Sequence, residues 1–360
     1  MKQQQMTTEN IWQSLPRPLL AWYRANARDL PWRRTADPYP IWVSEIMLQQ
    51  TRVAAVLGYY ARFLAAFPSV EALAAAPEQQ LMKLWEGLGY YSRARNLQKA
   101  ARVVCGQYGG KFPASYEELL SLPGIGEYTA GAIASAAFRL RVPAVDGNVL
   151  RVAARLTDDH SDIAAPATKQ AARRALEAVM PAAAEDCRVF NQALMELGAT
   201  VCVPKGEPKC GDCPAAAFCL GRARGTAAQL PVKAKKTPRR AEEMTVFVLL
   251  RRGETALRQR PEEGLLAGLW EFPNLPGALT EEQAAAAVRS FGLEPKRWLR
   301  KLPAKHIFTH REWHMTGYVL EVEGEGTEDL LWAGGEELAR RAVPSAFSRY
   351  YEAAKTELEG

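Results

Sequence analysis

The sequence lacks any apolar run near the ~18 residues that a bilayer-spanning helix needs. Its first ten residues, MKQQQMTTEN, contain no apolar core of the kind found in secretory signals. Cysteine is scarce at six residues in 360, and histidine is scarcer at four. These absences exclude membrane-spanning helices and a disulfide-rich secreted scaffold, so we expect a cytoplasmic protein.

Bulk composition is ordinary for a globular protein, with 48% apolar and 24% charged residues. A chain of 360 residues exceeds one typical domain, so we expect two. The net charge of +6 favours a phosphate-rich partner, although a solvated basic surface is the alternative.

Residues 10 to 200 have apolar side chains at helical spacing, with proline and glycine between the segments. One helix is predicted from Pro40 through IWVSEIMLQQTRVAAVLGYYARFLAAF, ending at Phe67. Ser115 and Glu118 form a capping-box pattern, and the helix they begin is predicted to stop at Gly124.

Composition changes after residue 225. Five basic residues and two prolines in LPVKAKKTPRR predict an exposed, extended linker over 226–242. Beyond it, MTVFVLLRR and HMTGYVLEV are strand candidates, so 243–360 is predicted to be a separate α+β domain.

The segment 122–131 reads LPGIGEYTAG, a tight glycine turn before a helix. Gly124 and Gly126 permit close backbone approach, and the helix N-terminus favours an anion, so a DNA phosphate fits there. The alternative is an ordinary turn between two helices, with glycine caps and no bound phosphate. Asp146 follows in VDGNV, where a helix N-cap is the common use of aspartate.

Four of the cysteines, Cys202, Cys210, Cys213 and Cys219, are separated by seven, two and five residues. Four thiolates in one short loop suit either zinc or an iron–sulfur cluster, and spacing alone leaves both open. A metal site is therefore predicted over 202–219.

LPGIGEYTAG, VDGNV and the four cysteines together resemble the helix-hairpin-helix glycosylases of the endonuclease III superfamily, over roughly residues 10–225. SEIMLQQT resembles a helix of the MutY-type adenine DNA glycosylases, and GLLAGLWEFPNLPG resembles a Nudix-type domain. The implied fold is multidomain: an all-α glycosylase domain over 8–225 with an iron–sulfur loop, then an α+β Nudix-like domain over 243–360. The matching Nudix helix lacks the acidic residues that hold magnesium, so no hydrolase activity is expected from it.

The resemblance implies excision of adenine mispaired with 8-oxoguanine or guanine, with the base flipped out of the duplex. Glu45 would protonate the departing adenine, and burial would raise its pKa; a surface glutamate is the alternative. Asp146 would stabilise the positive charge on the sugar, with Asn148 beside it. Relatives that also cut the strand carry a lysine where this chain has Tyr128, so a monofunctional enzyme is expected.

The cysteine loop would hold a 4Fe-4S cluster, although the loop is one residue longer than the family's six, two, five spacing. We assign that extra residue to Gly206. Further positions match the family's adenine pocket, namely Arg28, Trp32, Leu48, Gln192 and Met195. Others match positions that contact DNA or 8-oxoguanine, namely Gln50, Thr51, Leu88, Tyr90, Gly124, Gly126, Phe308, Thr309 and His310.

Two rival functions remain at this point. One is an endonuclease III-like glycosylase with lyase activity, which Tyr128 and the C-terminal domain disfavour. The other is a non-catalytic iron–sulfur protein that binds DNA. In each case the expected partner is double-stranded DNA, and we expect a monomer associated with the nucleoid.

Overall fold

The computed structural model describes residues 7–234 and 238–359. The chain forms two compact units. The first comprises Met1–Ala75 and Asn96–Lys235, and the second comprises Ala76–Arg95 and Lys236–Gly360. Residues 76–95 therefore belong to the C-terminal unit, although their sequence lies within the predicted helical region.

The first unit is helical, as predicted. Its helices are α1 Thr8–Ser14, α2 Pro16–Asn26, α3 Pro38–Leu48, α4 Val53–Ala66, α5 Val70–Ala75, α7 Ser92–Tyr108, α8 Tyr116–Ser121, α9 Glu127–Phe138, α10 Gly147–Thr157, α11 Pro166–Val179, α12 Ala184–Thr200 and α13 Leu220–Ala223. The first four residues of α7 belong to the second unit. One apolar core joins α1, α2, α10 and α12.

The single helix predicted from Pro40 to Phe67 is wrong: the structure has two helices, α3 and α4, with a break at residues 49–52. Gln50 has a φ of 59°, which ends the helical path, and the Thr51 N–H instead donates to the Leu48 carbonyl at 3.3 Å. Residues 49–52 contain no glycine or proline that would mark this break. The spacing of apolar residues therefore predicted one continuous helix.

The helix after Ser115 is α8, and the Ser115 hydroxyl accepts from the Glu118 N–H at 3.2 Å, which confirms the predicted cap. It ends at Ser121 rather than at Gly124. Gly124 has a φ of +75° in the turn between α8 and α9, so it shapes the hairpin and does not cap the helix.

The second unit contains α6 Glu78–Trp85 and, in the described residues, one seven-stranded sheet. The strands are β1 Arg240–Arg251, β2 Glu254–Gln259, β3 Trp270–Glu271, β4 Asn274–Pro276, β5 Glu294–Ile307, β6 Arg311–Glu323 and β7 Leu330–Ala333. Its other helices are α14 Glu281–Ser290, α15 Gly335–Arg340 and α16 Ser348–Glu359. The strand order is β3-β2-β1-β6-β5, with β1 and β6 parallel.

Both predicted strands are confirmed, as β1 and β6. Alternate residues of β1 enter two cores: Val246 and Val248 pack on the α16 side, whereas Phe247 and Leu249 pack on the α14 side. A strand with apolar residues on both faces is expected when helices cover both faces of its sheet. The second unit is therefore an α+β layer structure.

The predicted linker contains a 3₁₀ turn at Ala227–Gln229, and β1 already begins at Arg240. Residues 235–237 of that linker lie outside the described residues. Over 7–234 and 238–359, no helix has the length and apolar character that crossing a membrane requires.

Candidate active site

Glu45 lies on α3 and is 8% exposed, so it is not the surface glutamate of the alternative interpretation. Helix α9, which packs against α3, brings Tyr128 to it, and the Tyr128 hydroxyl donates to Glu45 Oε2 at 2.6 Å. Helix α9 is built largely from small residues, and a side chain at Gly131 would lie 2.6 Å from the Pro143 carbonyl oxygen. The helix therefore packs closely against the segment that leads to α10.

Burial raises the pKa of the Glu45 carboxyl to about 7. The hydrogen bond from Tyr128 lowers it, the charge of Asp146 raises it, and the charge of Arg33 lowers it. The raised pKa expected from the sequence is confirmed. A carboxyl with this pKa is protonated in a large part of the population at neutral pH, so it can serve as an acid.

Asp146 is the N-cap of α10, as its alternative interpretation predicted, and Oδ1 accepts from the Val149 N–H at 2.8 Å. Its Oδ2 accepts from Asn148 Nδ2 at 2.7 Å. Burial raises the pKa of the Asp146 carboxyl, while these hydrogen bonds act in the opposite direction. Asp146 therefore caps its helix and also stands close enough to influence Glu45.

Arg151 holds the side chain of Asn148 in place. Arg151 Nη2 donates to Asn148 Oδ1 at 2.9 Å and to the Gly198 carbonyl at 2.7 Å, and Nε donates to the Cys202 carbonyl at 2.8 Å. The Asp146 side chain is therefore held by a chain of hydrogen bonds that reaches the start of the cysteine loop.

Helix α12 supplies two residues predicted for the pocket. Met195 Sδ lies 3.2 Å from the Tyr128 hydroxyl, and Gln192 Oε1 accepts from the Tyr23 hydroxyl at 2.8 Å. The structure thus brings Glu45, Tyr128, Asp146 and Met195 into one cluster.

Glu196, one residue beyond Met195, is a buried charged residue that the sequence did not point to. Its side chain is fully buried and accepts from Arg28 at 2.6 Å and from Arg33 at 2.7 Å. Desolvation opposes ionisation, but the hydrogen bonds from the two arginines outweigh it and lower the pKa of Glu196 to about 2. No local sequence signal could find this group, because both arginines are more than 160 positions away.

The other pocket candidates are placed as follows. Trp32 is 6% exposed and its ring meets Tyr60 edge-on at 5.2 Å, whereas Leu48 is half-buried at the end of α3. Gln50 is exposed in the break after α3, and Thr51 next to it is half-buried. The geometry gives Trp32 a packing role and leaves Gln50 accessible.

The two hairpin glycines are not equivalent. A Cβ at Gly124 would lie 2.6 Å from Asn96 Cβ, whereas a Cβ at Gly126 would have no heavy atom within 4 Å. Gly126 is the N-cap of α9 and has no side chain with which to cap the helix. The first turn of α9 therefore has no side-chain cap from Gly126, and the space beside Gly126 is open; a helix N-terminus of this kind is suited to an anion.

All four cysteines of the loop line one cavity, together with Arg155, Val201, Pro208, Lys209, Ala216, Arg222 and Ala227. Arg155 Nη1 donates to Cys202 Sγ at 3.3 Å. Gly206 has a φ of +74° and open space around it, so the extra residue of this loop is accommodated in an exposed bend. Across the described residues, no three cysteine, histidine or acidic side chains converge closely enough to hold a single metal ion.

The remaining candidates lie in the second unit. Tyr90 is 46% exposed with a φ of +46°, and its hydroxyl lies 2.9 Å from Thr309 Oγ1, while Leu88 is buried. Phe308 begins the tight turn between β5 and β6, where its N–H donates to the Arg311 carbonyl at 2.8 Å. Thr309 and His310 form the exposed tip of that turn. Tyr90 and the tip therefore share one surface of this unit.

Residues 43–181 match the HhH-GPD superfamily of base excision DNA repair proteins, and residues 245–353 match the NUDIX domain. A solved structure of a thermostable thymine-DNA glycosylase superposes with a TM-score of 0.54 at 30% identity, covering 60% of this chain and 99% of that one. Fold and site thus define a helix-hairpin-helix base excision DNA repair protein with a Nudix-like second unit.

Two relatives narrow this class. Human adenine DNA glycosylase is 36% identical over 402 residues, which cover 92% of this chain and 72% of the human protein. The adenine DNA glycosylase of Buchnera aphidicola subsp. Baizongia pistaciae is 33% identical over 316 residues, covering 87% and 86%. The chain belongs to the adenine DNA glycosylase family.

Proposed function

We propose that this protein hydrolyses the N-glycosidic bond of adenine in double-stranded DNA, where adenine is mispaired with 8-oxoguanine or guanine. The observation that carries the proposal is the buried Glu45 carboxyl, which is bonded to Tyr128 and has a pKa of about 7. Because the pKa of this acid lies near the operating pH, it is suited to proton transfer to a leaving base.

The reaction separates a base from the anomeric carbon of its sugar. Glu45 donates its proton to the departing adenine, while the Asp146 carboxylate stabilises the positive charge that develops on the sugar. Water then adds to the sugar and gives up its proton to the Glu45 carboxylate, so that an abasic site remains and the acid is restored. Asn148 holds Asp146 in place through the 2.7 Å hydrogen bond to Oδ2.

Tyr128 bears on whether the DNA strand is cut after the base has been removed. A lysine at this position would attack the sugar to form a Schiff base, and strand cleavage would result. A tyrosine hydroxyl cannot form that adduct, and here it is already bonded to Glu45. We therefore expect base removal with the strand left intact.

The target adenine must leave the duplex to reach a buried carboxyl. We assign its pocket to Arg28, Trp32, Leu48, Gln192 and Met195. Gly124 and Gly126 would seat a phosphate, and exposed Gln50, with Thr51, would contact the duplex. Recognition of 8-oxoguanine is assigned to Leu88, Tyr90 and the Phe308–His310 turn, supported by the 2.9 Å contact between Tyr90 and Thr309 within one unit.

A 4Fe-4S cluster is proposed for the cysteine loop. A single zinc ion would require sulfurs converging to about 2.3 Å from one point. In a four-iron cluster each cysteine binds its own iron, so the sulfurs need only surround a common cavity, as Cys202, Cys210, Cys213 and Cys219 do. When bound, the cluster would cross-link the loop. Its absorbance spectrum and iron content in freshly purified protein test this assignment.

The chemistry is tested with a duplex that contains adenine opposite 8-oxoguanine, with adenine opposite thymine as the control. The expected product is an abasic site in the adenine strand that breaks only after alkali treatment. Breakage without alkali would instead support the lyase rival. Binding without any abasic product would support the non-catalytic rival. The same protein is expected to act as a monomer on the DNA of the nucleoid.

A further inference from the structure

Three arginines lie at the end of the sheet where the Phe308–His310 turn joins β5 to β6. Arg311 follows that turn directly as the first residue of β6, and Arg239 and Arg240 lead into β1. The Arg240 N–H donates to the carbonyl of the last turn residue at 3.0 Å, and Arg239 Nε donates to that of the first at 3.1 Å. These three residues, which we call the arginine rim, therefore border the turn.

The arginine rim carries more positive charge than its neighbours offset. Glu242 Oε1 lies 3.3 Å from Arg311 Nη1 and 3.5 Å from Arg240 Nε, so one carboxylate oxygen serves two arginines. Arg239 donates to a carbonyl, and it pairs with no carboxylate in the part of the chain that the structure describes. The rim therefore has a net positive charge beside an exposed turn.

A second nearby acid does not offset this charge. Side chains of a strand alternate between its two faces, so Arg311 shares a face of β6 with Trp313, whereas Glu312 points to the opposite face. There Glu312 lies 3.1 Å from Lys305 Nζ and 2.8 Å from His314 Nε2. Its carboxylate is therefore engaged away from the arginine rim.

The side-by-side placement of two rim arginines is electrostatically unfavourable. Arg240 and Arg311 are aligned as neighbours in the parallel pairing of β1 and β6, and like charges at such positions repel. Their side chains are 81% and 47% exposed, so the long contacts to Glu242 contribute little to stability. The arrangement therefore does little for the fold, whereas a bound anion would remove the repulsion.

We propose that the arginine rim binds backbone phosphates of the DNA strand that carries 8-oxoguanine. The inference rests on the proposed assignment of 8-oxoguanine recognition to the Phe308–His310 turn. Successive phosphates of one strand are about 3.4 Å apart along the helix axis, so a base at the turn brings its neighbouring phosphates to the rim. Arginine binds phosphate through charge-assisted hydrogen bonds. The turn reads the base, and the rim holds the strand in register.

The first test is the salt dependence of binding by the full chain to a duplex with 8-oxoguanine opposite a tetrahydrofuran abasic analogue. That duplex has no adenine to excise, so binding is measured without turnover. Each phosphate contact adds about 0.9 to the steepness of log affinity against log salt. Arg239→Gln, Arg240→Gln and Arg311→Gln should each lose about that much steepness. A fourfold rise in salt should then weaken each variant about 3.5-fold less than the wild type.

Arg289→Gln is a matched control, because Arg289 is 55% exposed and pairs with Glu294 at the start of β5, far along that strand from the turn. Its salt dependence should equal that of the wild type. Glu242→Gln makes the opposite prediction. The amide oxygen can still accept from Trp313 Nε1, now 3.0 Å from Glu242 Oε2, but the variant releases two arginines, so binding at low salt should tighten.

Neutral methylphosphonate linkages identify the phosphates. Placed at the two positions on each side of 8-oxoguanine, they should weaken binding of the wild type, and weaken Arg311→Gln less because one partner of the contact is already missing. The same linkages around the tetrahydrofuran in the other strand should weaken both proteins equally. Rim variants with the wild-type salt dependence, or an equal effect of the 8-oxoguanine-strand linkages on both proteins, would overturn the proposal.

Failure of the assigned 8-oxoguanine recognition gives a different result. Phosphate contacts carry no base information, so the rim variants should lose affinity for duplexes with 8-oxoguanine and with guanine alike. Thr309→Val should instead lower the preference for 8-oxoguanine and leave the salt dependence unchanged. If Thr309→Val keeps the wild-type preference while the rim variants lose steepness, the turn does not read the base. If Thr309→Val loses the preference while the rim variants match the wild type, only the role of the rim is wrong.

Discussion

Replacing Glu45 with glutamine should stabilise the folded protein at alkaline pH while it removes the proposed acid. Burial raises the pKa of Glu45 from its ordinary value of 4.5 to about 7. The unfolded chain has no such burial, so the folded state holds this proton more tightly. The carboxyl is therefore a source of instability once the surrounding pH exceeds the ordinary pKa.

The sign and size follow from this difference. Below pH 4.5 both states are protonated and the raised pKa has no cost. As pH rises from 4.5 toward 7 the unfolded chain ionises first, so folding stability falls, and it levels off above 7. The difference between about 7 and 4.5 corresponds to about 3 kcal/mol of unfolding free energy. Glutamine does not ionise, so the variant escapes this loss.

The assay is denaturant unfolding of wild-type protein and Glu45→Gln at pH 5 and pH 8, following the transition of the helical unit. The amide oxygen can still accept from Tyr128, so the packing is preserved. We expect the variant to be more stable by about 3 kcal/mol at pH 8 and by less than about 1 kcal/mol at pH 5. A gain that is equal at both pH values, or a loss at pH 8, would refute the assigned burial and protonation of Glu45.

Three further outcomes are expected. Tyr128→Phe removes a hydrogen bond that lowers the pKa of Glu45, so the alkaline limb of single-turnover release should move up by on the order of one pH unit; a downward shift would contradict this. Gly124→Ala should destabilise the fold by about 1–3 kcal/mol in thermal unfolding, because φ is +75° and Asn96 is in the way. Gly126→Ala should fold normally but bind duplex less tightly; equal behaviour of the two glycine variants would count against the hairpin geometry. Asp146→Asn should lose turnover yet keep its helix cap, whereas Asp146→Ala should also lose about 1 kcal/mol of stability.

The parts of the site that were predictable rest on local patterns. Asp146 before an apolar helix predicts an N-cap, and the structure has that cap. Glu45 in an apolar helix predicts a raised pKa, and burial supplies it. Strands such as β1 are recognisable because a run of apolar, β-branched side chains fits between two helical layers.

What was missed depends on distant partners or on backbone strain. Glu196 is charged and surrounded by helix-forming residues, so only Arg28 and Arg33 from the other end of the unit explain its burial. The break between α3 and α4 requires a positive φ at Gln50, which is not a glycine. The spacing of apolar side chains carries no signal for such a backbone conformation. The grouping of 76–95 with the C-terminal unit depends on long-range packing in the same way.

Because residues 76–95 belong to the second unit, no single cut between 225 and 243 divides this protein into two self-sufficient pieces. Within that unit Lys83 donates to the Arg341 carbonyl at 3.0 Å, Glu86 accepts from the Val343 N–H at 2.8 Å, and Arg95 donates to the Ala267 carbonyl at 2.6 Å. A fragment that stops near 225 loses all three partners. A loss of activity in such a fragment would therefore have two possible causes. One is the loss of structure in residues 76–95, and the other is the removal of the Nudix-like fold.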